Sequence, residues 1–252
     1  MMNNMTDTVK QLLIINILFF IGSYFVPQAN ELLSLHYFES DGFKFWQPIT
    51  HMFMHSKYSL MHIFFNMFAL VSFGSTLEKM WGPKKFLFFY FSCGIGAALI
   101  HSGVNYYYFH DGLNRLVENG FNKVEIMEVL NQGKFMTSWK EVLPTSVFEN
   151  MIGALTPTVG ASGAIYGLLA AFAFMFPNAE LALMFIPVPI KAKYFVPIWI
   201  LLFDVSYGII GGYLGYTNSG IAHFAHVGGA LIGFIMMWFW KKNQFDKNRW
   251  DR

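Results

Sequence analysis

The chain has 252 residues, a formal charge of +2 and only 13% charged residues, against roughly 25% in an ordinary soluble domain. With 55% hydrophobic residues, 19% aromatic residues and a mean hydropathy of +0.41, it excludes a conventional soluble fold and points to lipid as the solvent. The charge is too small, and too concentrated at the ends of apolar runs, for a nucleic-acid partner, and a single cysteine, Cys93, excludes an intrachain disulfide or a cysteine-based zinc cluster.

In chain order, six apolar runs are predicted to be membrane-spanning helices: Val9 to Val26, Leu60 to Met80, Phe86 to Tyr108, Ser162 to Phe176, Phe195 to Tyr213, and Ile221 to Trp240. The first is read as a retained helix, because Lys10 is the only cation in its leading segment and no small-x-small cleavage pattern follows it. No strand alternation is evident. The expected fold is therefore an all-α, polytopic bundle of six transmembrane helices, forming a single domain over residues 1–252.

Basic residues orient this bundle, since short cytoplasmic loops collect Lys and Arg. Lys79, Lys84 and Lys85 follow the second helix, and Lys191 and Lys193 follow the fourth. Lys241, Lys242, Lys247, Arg249 and Arg252 form the tail. The opposite connections, Pro27 to Ser59 and Thr217 to Gly220, are poor in net positive charge, so both termini are placed in the cytoplasm. The segment 109–151 between the third and fourth helices is a polar outer insertion with four basic and six acidic residues. Its apolar residues, including Leu113, Leu116, Phe121, Ile126 and Leu130, predict one or two short amphipathic helices at the surface or a small cap.

Polar groups inside spans are costly and usually face the bundle interior. The second helix carries His62 and Asn66, four apart and on one face; the fourth begins Gly160, Ala161, Ser162, Gly163 and continues to Tyr166; the sixth carries His223 and His226. The even-numbered helices enter from the outer side, so these groups share one depth. The fourth helix is too short to cross a core of about 30 Å, which sets Ser162 at a helix start below the outer surface. Gly229 and Gly233 lie one and two turns below His226, giving its face room for close approach to a neighbouring backbone. Below His223 lie Val227 and Ala230, so His226 is the expected base for a Ser162 nucleophile, with His223 at the cavity rim bonding water or backbone. Asp204, near the middle of the fifth helix, is read as a structural or gating contact.

These residues resemble the rhomboid family of intramembrane serine proteases, over Phe45 to Phe239. The resemblance rests on HIFFN at His62 to Asn66, LEKMWG at Leu77 to Gly82, GASGAIYG at Gly160 to Gly167, and AHVGGALIGF at Ala225 to Phe234. It implies a Ser162/His226 dyad without a third carboxylate. It further implies an oxyanion hole from His62, Asn66 and the Ser162 backbone N–H, and packing of Tyr166 on the His226 ring. The substrates implied are transmembrane segments of other proteins in the bilayer. No cofactor and no metal are expected, and the compartment expected is a bacterial inner membrane. The sequence departs from the family at Gln47, where Trp-Arg is common and this chain has Trp46-Gln47, and in the length of its insertion. Two other readings are open: a non-catalytic relative that binds membrane substrates, and a metal or haem site or transporter built on His51, His55, His62, His223 and His226.

If this orientation holds, protease added at the outer face cuts within 109–151 and spares the turn Lys79 to Lys85. Cleavage at the lysine turn first would invert the topology.

Overall fold

A computed structural model describes residues 5–183, 186–211 and 222–245. The expected loop Thr217 to Gly220, the end of the fifth run at Tyr213, Ile221 at the start of the sixth, and the tail residues Lys247, Arg249 and Arg252 lie outside the described residues. Five helical stretches among those described are long and apolar enough to cross a membrane: Asp7–Phe25, Leu60–Trp81, Pro83–Glu118, Ala192–Gly211 and His223–Lys241. A sixth apolar helix, Ser162–Met175, has 14 residues and reaches roughly 21 Å by helical rise. The protein is an all-α membrane bundle.

The chain begins with α1 (Asp7–Phe25) and a short α2 (Gln28–Leu33). A loop then leads to α3 (Gln47–Thr50) and a 3-10 turn at His51–Phe53. Next, α4 (Leu60–Ala69) passes through a wide π turn at Leu70–Gly74 into α5 (Ser75–Trp81). Gly82, at φ 76°, makes the one-residue reversal into α6 (Pro83–Glu118), whose first position is a proline that has no N–H to leave unsatisfied.

Glu78 ties α1 to this corner. Its buried carboxylate accepts from the Thr8 N–H at 3.2 Å, the Val9 N–H at 3.0 Å and the Thr6 hydroxyl. A carboxylate at a helix N-terminus satisfies donors that have no intrahelical partner and lies at the positive end of the helix dipole.

The third helix is longer than its apolar run. At 36 residues, or roughly 54 Å, α6 far exceeds the hydrocarbon core and takes in Phe109 to Glu118, which had been assigned to the insertion. The reason is packing: Phe109, Leu113 and Leu116 continue the apolar face of α6 into a second core with Ile126, Leu130, Trp139, Leu143, Phe148 and Met151. These come from α7 (Lys123–Asn131), α8 (Trp139–Val142) with Leu143 just after it, and α9 (Thr145–Gly153). Asn122 starts α7 by accepting from the Val124 N–H at 2.8 Å. The insertion is thus three short helices, with Trp139 fully buried among them.

After α10 (Ser162–Met175), β1 (Glu180–Leu183) and β2 (Ile186–Lys191) pair antiparallel, with Glu180 opposite Lys191 and Leu181 opposite Ile190. This corrects the expectation of no strand. Pro187 and Pro189 obscure the pattern in sequence, but a two-stranded ribbon has only edge strands, where a missing N–H is tolerated. The fifth helix, α11 (Ala192–Trp199), contains Pro197 and widens into π windings at Ile200–Val205 and Tyr207–Gly211. The last helix is α12 (His223–Phe245).

Ring contacts place the basic clusters at one end of the bundle. Lys85 Nζ lies 4.0 Å from the Trp240 ring centroid, Trp240 packs edge-on to Trp81, and Lys241 lies over Phe174 at the end of α10. At the other end Leu35 and Thr158 exchange two backbone hydrogen bonds, joining the loop between α2 and α3 to the segment that leads into Ser162.

Glu78→Ala removes an acceptor serving three donors and lowers stability by about 2 kcal/mol, read as a clear drop in the unfolding temperature of detergent-solubilised protein. Glu78→Gln loses less, because it keeps one acceptor oxygen.

Candidate active site

The site assembles where α10 begins. In α10, α6 and α12 the helices approach closely because small residues line the contact. A Cβ on Gly229 would fall 1.8 Å from the carbonyl oxygen of Gly163, and one on Gly233 would fall 2.7 Å from the Cα of Gly167. Gly163 and Gly167 meet Ala97 and Cys93 of α6 in the same way, at 2.6 and 2.4 Å. The four glycines make two rungs one helical turn apart.

This contact brings His226 to Ser162. His226 Nε2 lies 2.8 Å from Ser162 Oγ, and the Tyr166 ring stacks on the His226 ring at 4.2 Å with an interplanar angle of 10°. Tyr166 is four residues after Ser162 and so projects from the same face. Its hydroxyl accepts from the Trp199 indole N–H of α11 at 3.3 Å.

Ser162 is the first residue of its helix, and the N–H groups of a first turn have no intrahelical acceptor. Gly160 allows the approach. Its φ of 127° lies where side chains are disfavoured, and a Cβ there would sit 2.9 Å from His62 Nε2 and 3.6 Å from Ser162 Oγ. His62 Nε2 and Ser162 Oγ therefore border the same small space. The Ser56 N–H points to His62 Nδ1 at 3.3 Å, which assigns the ring proton to Nε2 and makes that atom a donor. The buried Asn66 donates one amide hydrogen to the His62 carbonyl at 2.7 Å, leaving its second hydrogen to act as a donor.

One expectation needs correction. His223 is expected at the rim, bonding water or backbone; its Nδ1 lies 3.0 Å from Asp204 Oδ1. The same Asp204 oxygen lies 2.7 Å from His226 Nδ1, a contact that the resemblance does not include. Asp204, read from the sequence as a structural or gating contact, lies on a helix that runs opposite to the site-bearing helices. Near the middle of a span, however, antiparallel helices reach the same depth, and polarity separates only their ends. The overlooked signal was the carboxylate itself, which is rare inside a span.

The five histidines considered for a metal site do not form one cluster. His51 Nδ1 lies 2.9 Å from the Gln47 carbonyl and His55 Nδ1 lies 3.3 Å from that of Phe53. Among the described residues, only Asp204, His223 and His226 bring three potential metal ligands together. Gln47 itself is fully buried: its Oε1 accepts from the His36 N–H at 3.2 Å, and its Nε2 donates to the Gly42 carbonyl at 3.0 Å. A neutral amide that both donates and accepts cross-links the loop between α2 and α3 with no buried charge to compensate.

The chain matches the profile of the Rhomboid domain over residues 42–243. It belongs to the rhomboid family. Similar rhomboid proteins include Rhomboid protein 1, mitochondrial, of Saccharomyces cerevisiae, 27% identical over 188 residues that cover 74% of this chain and 40% of that protein. The human Presenilin-associated rhomboid-like protein, mitochondrial, is 26% identical over 241 residues, 92% of this chain and 48% of that protein. Rhomboid protease AarA of Providencia stuartii is 26% identical over 198 residues, 76% of this chain and 54% of that protein. The rhomboid chain thus spans about half, or less, of the length of these relatives. Two of the three bear mitochondrial names, so these likenesses do not support the expected bacterial inner membrane. The protein is an integral, multi-pass membrane protein of this family.

Burial around the site also sets a pH dependence. In the connection between α1 and α4, burial lowers His51 from 6.5 to about 4, and burial together with the neighbouring His62 lowers His55 from 6.5 to about 4. Folding holds both neutral, so the unfolded chain binds more protons as pH falls between these values. Stability is full above pH 6.5 and is lost toward pH 4, by an amount on the order of 3 kcal/mol per histidine. Unfolding temperatures measured across this window should fall with acid, and His51→Gln should flatten part of the slope.

Proposed function

We propose that this rhomboid protein is an intramembrane serine endopeptidase that cleaves transmembrane segments of other membrane proteins. The observation that supports this most directly is the 2.8 Å contact of Ser162 Oγ with His226 Nε2 at a buried helix start. In this reading Ser162 donates its proton to His226 Nε2 as Oγ attacks the substrate carbonyl carbon. His226 then gives that proton to the leaving amine as the C–N bond breaks. Water attacks the resulting ester with His226 again as base, releasing the acid and restoring Ser162.

The tetrahedral intermediate carries a negative oxygen that needs fixed donors. His62 Nε2–H, the second amide hydrogen of Asn66 and the Ser162 backbone N–H surround the place where it would form. The positive end of the α10 dipole adds to them. Tyr166 limits the tilt of the His226 ring, and Gly160, Gly163, Gly229 and Gly233 let the backbones come close enough for the proton transfer. Non-helical backbone leading into Ser162 is compatible with a membrane where protein covers it. Substrate would enter as a helix unwound near its end, favouring Gly or Pro beside the cut and a small residue at it.

The reading treats residues 1–252 as one membrane domain. It keeps the basic end of the bundle, with both termini, in the cytoplasm, which places the site and the three-helix insertion toward the opposite face.

Cleavage of a model transmembrane substrate by purified protein tests the proposal. Ser162→Ala and His226→Ala abolish cleavage while the protein stays folded; turnover within tenfold of wild type in either would remove the dyad. Asn66→Ala lowers kcat by about 10²–10³ with a much smaller change in KM, the pattern of a lost transition-state donor. Equal loss in both constants would make Asn66 a structural residue.

A further inference from the structure

The carboxylate of Asp204 is almost completely shielded, at 2% exposure, on an otherwise apolar stretch of the fifth helix. Such a group is retained in a span only where something specific compensates it. Two imidazole Nδ1 atoms meet it, at 2.7 Å on His226 and 3.0 Å on His223, both at the same oxygen, Oδ1, and the Tyr166 hydroxyl is a further hydrogen-bond partner of the carboxylate. An ionised carboxylate only accepts, so both Nδ1 atoms carry hydrogens. For His226 this has a chemical consequence. With the proton held on Nδ1, Nε2 is left as a lone pair, and that atom faces Ser162 Oγ at 2.8 Å. The other tautomer would present an N–H to Ser162 and could not accept its proton.

We propose that Asp204 is a positioning residue that holds His226 in the base-competent tautomer and stabilises the imidazolium formed during attack, so that this chain works with a Ser162, His226, Asp204 relay in place of a bare dyad. The inference rests on the hydrolase reading above. The proton moves only from Ser162 Oγ to His226 Nε2 and then to the leaving amine; Asp204 stays ionised throughout. Asp204 acts through His226 and touches no reacting atom.

His223 has a separate part. It lies three residues before His226, and its ring stacks on Tyr207 at 5.6 Å and 24°. From there it binds Asp204 Oδ1 from a second direction and fixes the carboxylate against rotation. It is a tether for the carboxylate and not a reserve base. Asp204 lies within the first of the two π windings, Ile200–Val205, and this fits its role, because a wide turn changes the direction in which its side chains project, and such turns recur at functional sites.

The test uses the full chain in detergent or bilayer, with wild type, Asp204→Asn, Asp204→Ala, His223→Ala and Ser162→Ala. Three quantities are read: kcat and KM on a model transmembrane substrate, the rate of labelling by a fluorophosphonate, and the ¹⁵N chemical shifts of the histidine rings. Asp204→Asn keeps the shape and loses the charge, and is expected to lower kcat and labelling by roughly 10²–10⁴, with KM changed by less than about threefold. Asp204→Ala should in addition move the His226 nitrogens away from the Nδ1-protonated pattern, which a purely structural contact would not do. His223→Ala should keep labelling within about tenfold of wild type. If Asp204→Ala does not fold, the isosteric Asn variant decides by its kcat.

Turnover of Asp204→Asn within about threefold of wild type, with Ser162→Ala inactive, would overturn the role of Asp204 and leave the hydrolase reading standing. Turnover by Ser162→Ala would instead remove the hydrolase reading, and the proposal with it. Stoichiometric zinc in the purified protein, lost in Asp204→Asn, would also overturn it, because the three side chains would then be ligands.

Discussion

Everything at the site depends on two backbones touching. Side chains of ordinary size hold helix axes 8–10 Å apart, too far for a serine on one helix to bond a histidine on the next without long, mobile side chains. Here the Gly163 and Gly229 rung and the Gly167 and Gly233 rung remove the side chains at the contact, to the point where a single added Cβ would lie 1.8 Å from a carbonyl oxygen. Lipid gives such helices no hydrophobic reason to associate, so dispersion across the close contact and the polar bonds it permits must supply the attraction. The Ser162 and His226 contact and the Tyr166 stack on His226 both follow from that separation.

A second constraint acts on polar groups. Each one carried into the span must find a partner or cost several kcal/mol, and this explains why the polar residues here appear as a chain and not as isolated points. Ser56 supports His62, His62 supports Asn66, and Tyr166 is held by Trp199 while it covers His226. His226 joins Ser162 to Asp204, and His223 completes the set. The chain draws on α4, α10, α11 and α12, so the site also fixes the relative positions of four helices. It is a network in which each donor or acceptor also restricts a rotamer.

The insertion shows how the same chain behaves outside the lipid. Where α6 leaves the apolar layer it keeps its helical face, because Phe109, Leu113 and Leu116 find Ile126, Trp139, Phe148 and Met151 to cover them. Gly112 admits Met151 against the α6 backbone, where a Cβ would fall 2.7 Å from it. This second core is built on soluble rules, and it explains why a segment with net charge −2 by sequence still carries regularly spaced apolar residues.

By itself the sequence determined the apolar runs, the shortness of the helix starting at Ser162, and the choice of His226 over His223 as the residue facing a close neighbour. Those features follow from spacing along one helix, which 3.6-residue periodicity and a fixed bilayer thickness make legible. Only the tertiary structure decided the rest: the extension of α6 past its apolar run, the paired strands at Glu180–Leu183 and Ile186–Lys191, and above all the meeting of Asp204 with His226 and His223. Those depend on how helices are rotated and translated against one another. Rotation about a helix axis leaves every spacing in the sequence unchanged, so nothing along the chain records which face of α11 is turned toward α12.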